Sequence, residues 1–257
     1  MQDLRISLIQ TELIWENPSE NIRAFTRLLS DLETTDVVIL PEMFTTGFSM
    51  NPSGIAEKSN GPTTIWMANM AKQLNAALCG SIIIEEGGKY YNRLIWMNPD
   101  GSNFIYDKRH LFTLAGEEKI YTAGTEKIVV EYKGWRVCPL ICYDLRFPVW
   151  SRNDMNYDLL IYVANWPERR VFAWQQLLIA RAIENQCYVA GVNRVGKDGN
   201  EIYHSGHSAL IDSMGETLSQ LIDKNGVLTS TLNAKHLAQL RAKLPFQNDR
   251  DEFEIRK

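Results

Sequence analysis

The sequence predicts an α/β fold of mixed sheets flanked by outer helices, and three observations carry that expectation. Short apolar runs with a period of two alternate with segments whose apolar residues recur every three to four positions. Several apolar runs are separated only by glycine-containing turns, the mark of antiparallel hairpins, which excludes a purely parallel doubly wound sheet. The 257 residues are 45% hydrophobic and 23% charged, near the average of a globular chain, so a sizeable core can form. No linker or low-complexity segment interrupts the pattern. One domain over residues 1–257 is expected, with a polar tail from about residue 244.

Each element has its own signal. Leu4–Gln10 alternates Leu4, Ile6 and Leu8 and reads as a strand. Asn17-Pro18-Ser19-Glu20 is a helix start with Asn17 as N-cap, Pro18 at N1 and Glu20 at N3. Ile22, Phe25, Leu28, Leu29 and Leu32 then share one helical face. Residues 37–40 form a short buried strand that ends in Pro41-Glu42, a second helix is expected over 63–75, and a strand over 77–85. Gly87-Gly88 and Pro99-Asp100-Gly101 join three consecutive strands, and Lys133-Gly134 turns 127–132 back into 135–142. A helix near 149–156, a strand over 158–164, a helix over 172–185 and a strand over 187–195 follow. Turns at Gly196-Lys197-Asp198-Gly199 and Asn225-Gly226 punctuate the last strands, and a helix over Ala234–Lys243 precedes the tail.

Composition excludes several function classes. The net charge is −4, from 27 basic and 31 acidic residues without blocks of like charge, so neither a nucleic-acid nor a membrane partner is expected. Asp3, Arg5 and Glu12 interrupt what would be a signal peptide's apolar stretch, and the longest apolar runs fall far short of a membrane span. Cys138 and Cys142, read as one strand, would share a face about 13 Å apart, beyond a disulfide or a common zinc. Cys79, Cys138 and Cys187 sit in apolar runs and read as core, and the thiols fit a reducing, cytoplasmic compartment. Nucleotide-binding glycine loops, G-x-S-x-G and H-E-x-x-H are all absent, and the four histidines lack a recurring ligand spacing. Neither metal nor cofactor is expected.

Three segments carry chemistry. VVILPE puts Glu42 directly after an apolar strand, YDKRH places Lys108 in a polar cluster at a hairpin end, and CPLICYD delivers Cys142 to the end of another apolar strand. A carboxylate, an ammonium and a thiol brought together supply a base, an oxyanion stabiliser and a nucleophile, the set that acyl transfer through a thioester requires. His110, two residues from Lys108, is the rival base in a Cys–His scheme.

On VVILPEMFTTGF, YDKRHLF and LICYDLRFPVWSR the chain resembles the carbon–nitrogen hydrolases of the nitrilase superfamily. GSIIIEEGGKYYNRLIWMNPDG, YVANWP and WQQLLIARAIENQCYVAGVNRVG extend the likeness to nearly the whole length, and the first three motifs look most like the bacterial omega-amidase branch. The resemblance implies an α-β-β-α sandwich, commonly as a homodimer, with Cys142 as nucleophile, Glu42 as general base, and Lys108 with the Tyr143 N–H holding the oxyanion. It also implies a second glutamate, matched by Glu117 with Glu118 as the adjacent competitor. Burial behind an apolar strand is expected to raise the Glu42 pKa toward that of a useful base. Around the site, Arg146 is expected either to fork a substrate carboxylate or to pair with Asp144. Asn165 and Trp166 follow a strand toward the same mouth, Trp166 either walling the acyl pocket or capping the core. Arg181 and Glu184 are expected to form a structural ion pair.

The activity so implied is hydrolysis of the terminal amide of a small dicarboxylic acid monoamide, of the 2-oxoglutaramate or 2-oxosuccinamate type. Nitriles, carbamoyl-amines, general aliphatic amides, or transfer of the thioester to an amine are the alternatives on the same fold. Intact Glu42, Lys108 and Cys142 argue against a mere scaffold.

Overall fold

A computed structural model describes residues 1–255. The chain runs through β1 (Leu4–Gln10), α1 (Pro18–Ser30), β2 (Val37–Ile39), α2 (Pro62–Leu74), β3 (Ala77–Glu86), β4 (Lys89–Met97) and β5 (Asn103–Asp107). It continues through β6 (Val130–Tyr132), β7 (Trp135–Ile141), α3 (Pro148–Ser151), β8 (Leu159–Ala164) and α4 (Val171–Asn185). β9 (Tyr188–Asn193), β10 (Val195–Lys197), β11 (Tyr203–Ile211), β12 (Thr217–Ile222), β13 (Gly226–Leu232) and α5 (Ala234–Lys243) complete it. Asn17 caps α1 as its sequence requires, its side chain accepting the Glu20 N–H at 3.2 Å.

Both sheets are mixed. The first has the order β13-β1-β2-β3-β4-β5, with β1, β2 and β3 parallel, β4 and β5 added as antiparallel hairpins, and the late strand β13 returning antiparallel to β1. The second runs β10-β11-β9-β8-β7-β6, with β7, β8 and β9 parallel and β12 paired to β11. Side-chain alternation then builds the layers. Leu4, Ile6 and Leu8 of β1 with Val37 and Ile39 of β2 join Trp135, Val137 and Ile161 of the other sheet in one core. The alternate residues Ile9, Val38 and Leu78 face outward onto Phe25 and Leu29 of α1 and Met67 and Met70 of α2. On the far side α4 lies against β9, where a Cβ at Gly191 would stand 2.5 Å from Leu178, so only glycine admits the helix. The result is helix, sheet, sheet, helix.

Local departures from the sequence expectation have local causes. The helix expected near 149–156 is only the single turn α3, because Asn153 closes a competing turn: its side chain accepts the Tyr157 N–H at 2.8 Å and donates to Tyr157 O at 2.9 Å. The strand expected over 127–132 is confined to β6. The turn expected to begin at Gly196 begins at Asp198, whose carboxylate accepts the N–H groups of Asn200 and Ile202, and β10 keeps Gly196 and Lys197. The polar tail from 244 contains a 3-10 turn at Phe246–Asp249, and Arg250 ties it to Asn153 O and Asn156. Residues 256 and 257 of that tail lie outside the described residues. Among the described residues no helix is long and apolar enough to cross a membrane.

Candidate active site

The parallel strands deliver their polar ends to one edge. β2 runs into Pro41-Glu42, and the chain then bends through Met43, whose φ is +43° and whose N–H is held by Ser81 Oγ at 2.8 Å. Glu42 is thereby turned inward and is fully buried. Its Oε1 accepts Asn92 Nδ2 and Lys108 Nζ, both at 2.8 Å, and its Oε2 accepts the Asn165 N–H at 2.8 Å. Asn165 Nδ2 also bonds the Glu42 carbonyl at 2.6 Å. A carboxylate removed from water needs this many donors.

Lys108 follows the last residue of β5. Its ammonium sits 3.0 Å from both oxygens of Glu117 and 4.9 Å from the centre of the Phe48 ring. Burial alone would lower the lysine pKa, but the Glu117 and Glu42 carboxylates more than offset it, so the group is held above its ordinary value and stays charged. Glu117 is buried behind the lysine, and that burial raises its own carboxyl against the pull of Lys108. Its Oε2 accepts the Phe112 N–H at 2.5 Å. Glu118, by contrast, is exposed, so the structure brings Glu117 and not its neighbour to Lys108.

β7 stops at Ile141, one residue earlier than alternation suggests, because Cys142 adopts φ +43° and opens a 3-10 turn over Cys142–Arg146. Cys142 therefore does not share a strand face with Cys138: the left-handed bend swings its thiol toward the edge, while Cys138 remains in the core. Burial first, then the adjacent Glu42 carboxylate, push the Cys142 thiol well above its ordinary value, with Lys108 pulling the other way. Cys142 thus rests as a neutral thiol beside Glu42. Cys79, Cys138 and Cys187 are buried free thiols, each raised by burial.

Glu42, Lys108, Cys142, Tyr143, Arg146, Asn165 and Trp166 all line one cavity of about 590 Å³. Tyr143 packs edge-on to Phe112 and Phe147. Trp166 lines the cavity on one side and meets Trp174 at 5.5 Å in the core on the other. Arg146 does not pair with Asp144, which is occupied elsewhere; its guanidinium lies 4.9 Å over the Trp166 ring. Arg170 lies 5.0 Å over the Phe112 ring, and burial followed by the neighbouring Arg169 holds it below its ordinary value. Among the described residues no acid pairs with Arg146, Arg169 or Arg170, all three of which line the cavity. Arg181 and Glu184 do form their ion pair, at 2.9 Å.

His110 is not at the thiol. It leaves the strand with Lys108, its Nδ1 lies 2.8 Å from Asp144, and its ring stacks on Phe147 at 3.7 Å, outside the cavity lining. Asn92 went unnoticed in the sequence; its one signal is a polar residue in phase with Leu94 and Trp96, the inward face of β4.

Two mixed sheets between helices, a fold shared with solved members of the nitrilase superfamily, bring Glu42, Lys108 and Cys142 together at one edge. The chain belongs to the carbon–nitrogen hydrolase family, whose model matches residues 5–242. It is 44% identical over 256 residues to the omega-amidase YafV of Yersinia enterocolitica, covering 98% of this chain and 99% of that one. It is 32% identical over 250 residues to the 2-oxoglutaramate amidase of Bacillus subtilis, with 95% and 96% covered. The fold superposes with a TM-score of 0.97, at 46% identity, on a CN-hydrolase superfamily protein of Xanthomonas campestris that carries an arsenic adduct in its active site; the match covers 99% of this chain and 100% of that one.

Proposed function

We propose that the protein is an amidase that hydrolyses the terminal amide of small dicarboxylic acid monoamides, of the 2-oxoglutaramate or 2-oxosuccinamate type, to acid and ammonia. The observation that carries this reading is a neutral Cys142 thiol beside the buried Glu42 carboxylate, in a cavity lined by arginines that have no acidic partner among the described residues. Glu42 takes the thiol proton as Sγ attacks the amide carbonyl, and the tetrahedral oxyanion falls to Lys108 and the Tyr143 N–H. Collapse breaks the C–N bond, the proton on Glu42 leaves with the amine as ammonia, and a thioester remains. Water then gives a proton to Glu42 while attacking that thioester; the C–S bond breaks, the sulfur takes the proton back from Glu42, and the acid leaves with thiol and carboxylate restored. Glu117 holds Lys108 charged and oriented throughout.

A carboxylate at the far end of the acyl chain needs a cationic partner, and Arg146, Arg169 and Arg170 are available to it. Charge-assisted contacts of about 1.5–3 kcal/mol correspond to a preference of about 10- to 150-fold in kcat/KM for acid-bearing over neutral amides. A side-by-side assay of 2-oxosuccinamate, glutamine, butyramide and a matched nitrile checks this. Butyramide or the nitrile equalling 2-oxosuccinamate removes the omega-amidase reading. An acylated amine formed when amine acceptors are added moves it to acyl transfer.

The same reading takes residues 1–257 as one domain, working as a homodimer in the reducing cytoplasm. The aromatic stretch 147–150 offers little of its ring surface to a partner, since Trp150 is buried within the chain and Phe147 is stacked on His110. Val149, 55% exposed, and Phe172, 74% exposed, are apolar surface for a partner to cover. Sedimentation equilibrium at micromolar concentration is expected to show twice the 29.4 kDa chain mass; the single-chain mass alone would refute the dimer.

A further inference from the structure

Asp144 is fully buried, and its carboxylate meets four donors drawn from two separate stretches of chain. Oδ2 accepts the Tyr106 hydroxyl at 2.7 Å and the Ile141 N–H at 3.1 Å. Oδ1 accepts the His110 N–H at 3.0 Å and lies 2.8 Å from His110 Nδ1, which donates to it. Tyr106 Oη in turn accepts Trp150 Nε1 at 3.0 Å and the Arg109 N–H at 3.3 Å, so its own proton is directed at Asp144. Stacking on Phe147, with ring planes 5° apart, fixes the imidazole.

The placement matters because Tyr106 and His110 stand two residues before and two residues after Lys108, and Ile141 immediately precedes Cys142. One carboxylate therefore grips the chain on both sides of the ammonium and at the entry to the nucleophile. Cys142 is in the left-handed region, which a non-glycine residue keeps only where its surroundings hold it. We propose that Asp144 is a positioning residue that locks the Lys108 segment to the Cys142 turn, setting the spacing between oxyanion holder and thiol. The proposal rests on the roles given above to Lys108 and Cys142. Asp144 does not line the cavity and acts on the reaction only through those two groups.

Asp144→Asn keeps the size of the side chain but turns an amide N–H₂ toward groups that are themselves donors. Its kcat is expected to fall about 100-fold, the scale of an ångström-size misplacement, while KM changes less than about threefold. Tyr106→Phe and His110→Gln each remove one grip and are expected to lose about five- to tenfold in kcat. Adding His110→Gln to Asp144→Asn costs little further, because the shared contact is already gone. A carboxylate that merely stabilised the fold would lower the melting temperature and leave kcat at the parental value; that result overturns the proposal. Should Asp144→Asn fail to fold, Tyr106→Phe and His110→Gln decide, and parental kcat in both folded variants overturns it equally. Turnover by folded Cys142→Ala would instead remove the underlying catalytic reading, so the two failures are told apart.

Discussion

Cys142→Ala is expected to abolish turnover, by about 10⁶-fold, the loss seen when a covalent nucleophile is removed from an otherwise intact site. Its fold should survive, because alanine and cysteine meet the same backbone strain at φ +43° and only one sulfur atom is lost. Cys79→Ala, Cys138→Ala and Cys187→Ala delete buried thiols remote from the cavity and should keep activity wherever they fold. Turnover assays paired with thermal melts make the comparison. Appreciable turnover by folded Cys142→Ala would end the thioester mechanism.

Glu42→Gln is expected to lose about 10²–10⁴-fold in kcat, the usual contribution of a positioned general base. The geometry adds a second cost. Either orientation of the new amide turns an N–H₂ toward a donor, whether Lys108 Nζ and Asn92 Nδ2 on one side or the Asn165 N–H on the other. A mismatch of that kind costs about 1–3 kcal/mol of stability, which a melting curve will register. His110→Asn should lose far less activity, since its ring faces Asp144 and Phe147. The reverse ranking of these two variants would move the chain to a Cys–His mechanism.

What could be read from the sequence follows how local each cause is. Glu42 and Cys142 were legible because polar groups directly after apolar strands are conspicuous, and the mixed α/β layers because strand alternation and hairpin turns are short-range signals. The sub-helical turn α3 was not, because Asn153 competes through its own side chain, and periodicity carries no trace of that. Nor was the left-handed Cys142, since alternation runs on smoothly through CPLICYD while the backbone bends out of the strand. Asp144 looked like a partner for Arg146, four positions after Cys142. Apart from the local Ile141 N–H, its partners Tyr106 and His110 lie 38 and 34 residues away and meet it only once both sheets are in place.

The candidate site is a seam. Glu42 and Lys108 hang from the ends of β2 and β5 in the first sheet, and Cys142 and Asn165 from the ends of β7 and β8 in the second. No helix or strand carries two of Glu42, Lys108 and Cys142, and the thiol hangs from a different sheet than the other two, so the proposed chemistry depends on how the two sheets dock. A loosened state with its secondary structure intact but its inter-sheet packing fluid would give a near-native far-ultraviolet spectrum and no turnover. For this chain, activity is thus a gauge of sheet-on-sheet registration, and on gentle denaturation it should disappear before the helices and strands do.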